Sequence, residues 1–339
     1  CPTGVDVARM KIEVLKARAD LYGYSLRDRL IANLPRYARA AAWAAPLLNL
    51  RNRSASLRLL SEKIAGFSAL RSLPAWRRDR FDHPGESFGP EGWHEVVLWA
   101  DTFNAAFEPG VLRDALAVLT GAGYRVHLAA ANGRPLCCGR TYLAVGNVAA
   151  AREEMRRSLM VLEPYFARGV PLVGLEPSCL FSFRDEAQAM LAGAKSKRAA
   201  AHALLFEEFI AREVKAGRFV LGLRPADRKV MLHGHCHQKA FGAMGAVEET
   251  LRLIPNLKLE KIESSCCGMA GAFGYQVETA AVSLKMGELS LLPAARRAGD
   301  DTVLVADGTS CRHQIADGAQ KRAVHVASLL AAQMDGQDA

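Results

Sequence analysis

The cysteines of the chain are Cys1, Cys137, Cys138, Cys179, Cys236, Cys266, Cys267 and Cys311, and two pairs of them are adjacent. Each pair is followed by glycine, giving Cys137-Cys138-Gly139 and Cys266-Cys267-Gly268, with the second triplet 129 residues after the first. Neighbouring cysteines bridge each other poorly, because a disulfide asks for Cα atoms about 5.5–6 Å apart. Two thiols facing one metal centre, with a glycine allowing close approach of the backbone, suit this spacing better. The single cysteines keep the interval: Cys179 and Cys311 are 132 residues apart, and the strand end at Asp101 precedes that at Cys236 by 135.

In the second half Cys236, Cys266, Cys267 and Cys311 supply four thiolates, enough to hold a [4Fe–4S] cluster. Gly234, Gly268, Gly271 and Gly308 flank them and offer N–H groups to sulfur. His233, His235 and His237 surround Cys236, so a mixed Cys/His zinc site stays open as an alternative. On an extended strand these histidines share one side, opposite Cys236. They are therefore expected as hydrogen-bonding or proton-relaying neighbours, unless Gly234 breaks the strand; His313, beside Cys311, is read with the same caution. The first half offers only Cys137, Cys138 and Cys179. Asp101-Thr102-Phe103 stands where a partner of Cys236 should be, and Glu176 stands where a fourth ligand could sit. Three thiolates with a carboxylate, a cluster with an open iron, a zinc site and an emptied vestige all remain open there.

These groups need elements to hold them. Short β-rich runs at 96–99, 125–128, 172–175, 230–232, 257–262 and 302–306 alternate with helical patterns at 109–119, 149–162, 185–215, 246–253 and 277–297. Alternation of this kind implies α/β architecture with parallel sheets. Within each half the order is strand, helix, strand, Cys-Cys-Gly, helix, strand, Cys. Each cysteine group follows the carboxyl end of a strand, where open α/β sheets place their ligands. The expected organisation is a helical basic region over 1–80, a linker over 81–93, and two repeats over 94–225 and 226–335.

The 339 residues are half hydrophobic and 23% charged, a globular composition. The net charge of +9 is concentrated in residues 1–80, which carry 16 Lys and Arg against 6 Asp and Glu. Such a segment suits a membrane surface or an acidic partner subunit; it lacks the aromatic interleaving of a nucleic-acid binder, and no nucleic-acid partner is expected. Trp43 with Leu47 and Leu48 is read as helix-packing core, with peripheral membrane contact as the alternative. No apolar run is long enough to cross a bilayer, and no secretory signal is read. Reduced thiols and a cytoplasmic location, with contact at the inner membrane face left open, are the expectation. No G-x-G-x-x-G, phosphate loop or Ser/His/Asp arrangement stands out.

The motifs Pro135-Leu-Cys-Cys-Gly-Arg-Thr141, Gly174-Leu-Glu-Pro-Ser-Cys179, His233-Gly-His-Cys-His-Gln-Lys239, Ser265-Cys-Cys-Gly-Met-Ala-Gly271 and Ala306-Asp-Gly-Thr-Ser-Cys-Arg-His-Gln-Ile315 together resemble the cysteine-rich CCG domains of iron–sulfur oxidoreductases. Relatives of that kind include the B subunit of heterodisulfide reductase and the iron–sulfur subunits of glycolate oxidase and anaerobic glycerol-3-phosphate dehydrogenase. The likeness is greatest to the C-terminal region of FAD-linked oxidases of the D-lactate and D-2-hydroxyglutarate dehydrogenase type. Cys1-Pro2 resembles the end of the ferredoxin-like segment that precedes tandem CCG domains there, as if the chain were part of a longer protein. The resemblance implies electron transfer from FAD, held in a flavin domain or subunit outside this chain, to a quinone or carrier protein. It implies one [4Fe–4S] cluster on Cys236, Cys266, Cys267 and Cys311, a second group on Cys137, Cys138 and Cys179, and Cys1 as a ferredoxin-type ligand. Full CCG motifs end in Cys-x-x-Cys, whereas Glu176 and Gly308 occupy the first of those positions here. A zinc-stapled docking module and a thiol or disulfide reductase with an open iron are the competing readings.

Overall fold

The computed structural model describes residues 6–131 and 135–334; Cys1 lies outside them. Its strands are β1 (Ser87–Phe88), β2 (His94–Trp99), β3 (Tyr124–His127), β4 (Leu172–Gly174), β5 (Ala203–Leu205), β6 (Lys229–Leu232), β7 (Lys258–Lys261), β8 (Thr302–Val305) and β9 (Ala323–Val324). They form two sheets, ordered β1-β3-β2-β4-β5 and β7-β6-β8-β9. Every pairing is parallel except that of β1 with β3. Removal of β1 leaves two sheets of the same order, so the α/β class, the parallel sheets and the helical N-terminal segment are as expected.

β2, β4, β6 and β8 read as apolar runs because both faces of the sheet are buried around them, whereas the edge strand β7 is polar and largely exposed. Val96 and Leu98 of β2 pack into one core with Val230 and Leu232 of β6, so the two sheets share a hydrophobic centre. Helices Pro109–Gly121, Phe206–Lys215, Met244–Leu251 and Val326–Gln333 fill it through Leu112, Leu119, Phe209, Val247 and Leu330. The alternate residues Val97 and Trp99 face helix Val148–Ala167 through Met155, Leu159 and Leu162. Met231 and Leu304 face Leu291, Leu292 and Ile315. A two-residue period places each strand's side chains in opposite cores.

Two expectations are corrected. The helical patterns are interrupted: that over 185–215 is broken into helices Glu186–Met190, Ala194–His202 and Phe206–Lys215, with β5 between the last two, and that over 277–297 into Ala280–Glu288 and Leu291–Arg297. The sheet edge beside β4 recruits Ala203–Leu205 despite its helix-forming composition, a tertiary override of local propensity. Trp43, Leu47 and Leu48 are not core; Trp43 is 85% exposed. Helix Leu34–Trp43 instead buries its small face, Ala38, Ala41 and Ala42. Among the described residues no helix is long and apolar enough to cross a membrane.

Arg312 ties the two sheets together. Its buried guanidinium donates to Ala306 O at 2.9 Å, Asp307 O at 2.7 Å and Asn104 Oδ1 at 3.1 Å, and pairs with Glu108. Asn104 and Glu108 follow β2, whereas Arg312 follows β8, so one side chain bridges the halves. Removing one partner of a buried ion pair costs about 3–5 kcal/mol. Arg312→Ala is expected to lose that much in denaturant unfolding, and a loss below about 1 kcal/mol would show the bridge to be incidental.

Candidate metal centre

All the cysteines among the described residues stand just past the carboxyl ends of strands, and helix caps define their equivalence. Asp101 caps helix Thr102–Phe107 after β2, and His235 caps helix Cys236–Ala240 after β6. Glu176 caps helix Pro177–Arg184 and Gly308 caps helix Thr309–Ala319, with Cys179 and Cys311 the third residue of each. The caps align Asp101 with His235, so Thr102, rather than Asp101, stands where the second half has Cys236.

Local backbone explains the Cys-Cys-Gly triplets. Gly139 has φ of 82° and Gly268 has φ of 90°, the left-handed region that glycine enters freely. A Cβ on Gly139 would lie 2.8 Å from Ala151 O, and one on Gly268 would overlap Ser283 O. The glycine thus lets a later helix, Val148–Ala167 in the first half and Ala280–Glu288 in the second, close against the triplet. Its N–H is aimed at sulfur: Gly139 N donates to Cys137 Sγ and Gly268 N to Cys266 Sγ, each at 3.3 Å.

In the second half the four thiols form a continuous chain of side-chain contacts, Cys236 to Cys266 to Cys267 to Cys311. Donation from Cys236 and Cys267 holds the Cys266 thiol well below its ordinary range. Cys311 is likewise held down by Cys267, with His233 and His235 adding to the effect. Cys236 and Cys267 are pushed up, because each donates to a neighbouring sulfur and is buried. The first half repeats this on three thiols, with Cys138 lowered between Cys137 and Cys179. Buried sulfurs competing for protons are what a bound cation relieves.

The histidines divide between two positions, the case left open in the sequence if the strand breaks at Gly234. β6 ends at Leu232, and the chain turns through Gly234 into the His235 cap. His233 lies with Cys267 and Cys311, their ligand atoms all within 4.8 Å of one another, whereas His235 and His237 flank Cys236 in the same way. Arg140 Nη2 donates to His237 Nε2 at 2.7 Å, which leaves the proton on Nδ1, 3.7 Å from Cys236 Sγ. Burial, the Arg140 guanidinium and His235 push His237 down to about 3, so the ring is neutral at pH 7. His313 is engaged elsewhere, with Nδ1 2.8 Å from Tyr275 Oη and Nε2 3.1 Å from Ser72 Oγ.

Glu176 joins the two sites rather than completing the first. Its Oε1 accepts from Ser178 Oγ at 2.7 Å, and its Oε2 accepts from Thr309 N, across in the second half, at 2.8 Å. Asp101 lines a small cavity with the first thiols, and among the described residues its carboxyl makes no such crossing bond. Burial first, and then Glu176, push it up to about 7. A cavity of about 10 Å³ opens among Trp99, Asp101, Cys137, Cys138, Arg140 and Cys179, room for about one water. A cleft of about 630 Å³, with no cysteine among the described residues that line it, lies beside Glu108, Arg113, Arg312, His313 and Lys321.

Sequence reasoning missed two features. Arg71, from the basic N-terminal region, is buried against the second site, where it contacts Met269 Sδ and donates to Gln314 Oε1 at 2.6 Å. Gln314 in turn donates to Cys267 O at 2.8 Å. A third buried group, Glu207, Asp307 and His325, lies within 4.8 Å. Its histidine is committed: Nε2 donates to Leu175 O at 3.0 Å and Nδ1 accepts from Ala327 N at 2.9 Å, a structural tie between the halves.

No protein-family model matches the chain. Over 324 residues it is 27% identical to the C subunit of anaerobic glycerol-3-phosphate dehydrogenase of Escherichia coli, covering 94% of this chain and 80% of that protein. It is 25% identical over 328 residues to the D-2-hydroxyglutarate dehydrogenase of Escherichia coli, and 26% over 353 residues to that of Pseudomonas putida. The chain spans about a third of the length of those two dehydrogenases, 31% and 32%. The chain is homologous to both kinds of protein, and the resemblance carried by its motifs is borne out.

Proposed function

We propose that this chain is the electron-transfer part of a flavin-dependent dehydrogenase, with a [4Fe–4S] cluster on Cys236, Cys266, Cys267 and Cys311. The observation that carries this reading is the spacing of the four thiols. A single tetrahedral zinc with bonds of about 2.3 Å holds its sulfurs about 3.8 Å apart. Here the thiols are linked in a chain, yet among the described residues no group within 4.8 Å contains more than two of them. An open arc of sulfurs fits a multi-iron group better than one ion, and such a cluster supplies one-electron transfer when bound. The chain's part is to exclude water, to present Gly268 N–H and His237 Nδ1–H to sulfur, and to hold the sites against each other through Glu176 and Arg140.

Cys137, Cys138 and Cys179 would hold a second group, with Thr102 leaving a fourth position without sulfur. Cys1 would serve the ferredoxin-like segment. The two kinds of relative are named for different substrates, glycerol 3-phosphate and D-2-hydroxyglutarate. Substrate choice is therefore assigned to the flavin-bearing domain or subunit, and a 2-hydroxy acid is the substrate class proposed for the assembly. Electrons would pass from FAD to a quinone or carrier protein. The cleft beside Arg312 and His313, directly after Cys311, offers such an acceptor an approach.

Mixing the anaerobic chain with photoreduced free FAD tests the reading. Bleaching of a visible iron–sulfur chromophore, in step with flavin reoxidation, is the expected result. A chain that leaves the flavin reduced would contradict it.

A further inference from the structure

Among the described residues, two buried aromatic ring nitrogens have no hydrogen-bond partner, Trp99 Nε1 and His233 Nε2. They occupy the same place in the two halves. Trp99 ends β2 and pairs with Gly174, two residues before the Glu176 cap. His233 follows β6 and donates its backbone N–H to Val305 O, which sets it beside Ala306, two residues before the Gly308 cap. Asp101 and His235, the other pair of caps, each follow two residues later. Pairing and capping therefore give the same equivalence.

Each ring faces its own sulfurs. Trp99 lines the small cavity with Cys137, Cys138 and Cys179. His233 lies in the group with Cys267 and Cys311, and its Nδ1 is taken up by Ser264 Oγ at 2.8 Å, which leaves Nε2 as the ring nitrogen without a partner there. The proton on His233 can be placed from its other nitrogen. Ser264 Oγ lies 2.8 Å from Nδ1 and only 3.4 Å from Ile262 O, at the weak limit of a hydrogen bond. The hydroxyl proton therefore goes to Nδ1, and the ring proton stays on Nε2. An indole can only donate. Each half thus holds a buried, unpartnered ring N–H on the residue beside its sulfurs.

We propose that His233 Nε2–H is a hydrogen-bond donor to sulfur of the second-site cluster and raises its reduction potential, with Trp99 Nε1–H in the same role in the first site. The assignment rests on the electron-transfer reading above. A donor to sulfur favours the reduced, more negative state, in which sulfur carries more charge.

His233→Phe removes the donor and keeps a ring. It is expected to retain iron and sulfide while the reduction equilibrium falls roughly tenfold, about 59 mV for one electron. His233→Gln, which restores an N–H, is expected to recover part of the shift. Pulsed EPR of the unsubstituted, 15N-histidine-labelled chain gives a second readout that needs no variant. A weakly coupled nitrogen and an exchangeable proton are expected. Full iron with an unchanged potential in His233→Phe would overturn the donor role. Iron loss in both variants, with the strong coupling of a directly bonded nitrogen, would overturn it in favour of ligation. A chain without iron or sulfide would instead overturn the electron-transfer reading, and this assignment with it.

Discussion

Cys311→Ser is expected to strip the second site of iron, a loss of about four irons per chain, while Cys179→Ser leaves that site's signal in place. Cys311 is buried at the first turn of helix Thr309–Ala319, and its thiol is held down by Cys267 with help from His233 and His235. A serine hydroxyl at the same position stays protonated and is a poor ligand for iron. The neighbouring sulfurs cannot substitute, because Cys236, Cys266 and Cys267 are the rest of the proposed set. Cys179 belongs to the other thiol group, with Cys138. Iron and sulfide analysis of the two variants, with EPR after reduction, separates the sites. Equal losses in both would mean that the halves bind one shared group.

Gly268→Ala is expected to cost far more stability than Gly242→Ala. The added Cβ overlaps Ser283 O and lies 3.0 Å from Met286 Cβ, both on helix Ala280–Glu288, which cannot retreat without uncovering the thiols. Left-handed strain contributes about 1–3 kcal/mol, and overpacking about another 1–3 kcal/mol. Gly242 is a control, since its φ of 69° is also left-handed but nothing lies within 4 Å of an added Cβ. Gly242→Ala is expected to show only the strain. Denaturant titration of both variants under reducing conditions checks the order; a Gly268→Ala variant no less stable than Gly242→Ala would refute the close approach.

β2, β4, β6 and β8 were legible because they are largely buried and appear as apolar runs, whereas the exposed edge strand β7 was legible only through Leu257, Leu259 and Ile262 in and around it. β5 was hidden inside a helix-forming stretch, and β1 and β9 are two residues each, too short for periodicity to register. The cysteine groups were legible because ligands at equivalent strand ends recur at fixed intervals. The partition of the histidines was not, because it depends on where β6 stops. Arg71 carries no local signal at all: its contact with Met269 spans 198 residues of sequence. Nor does spacing reveal which of Asp101 and Glu176 faces the first thiols, since both are helix caps and only the tertiary bond to Thr309 separates them.

A redox cluster in the second half is tested most directly by iron, zinc and acid-labile sulfide in the anaerobically purified chain, with EPR before and after dithionite. About four irons and four sulfides per chain, or more if the first site is filled, with a new signal on reduction, are predicted. Stoichiometric zinc without sulfide, EPR-silent before and after dithionite, would contradict the cluster and leave a metal-stapled scaffold.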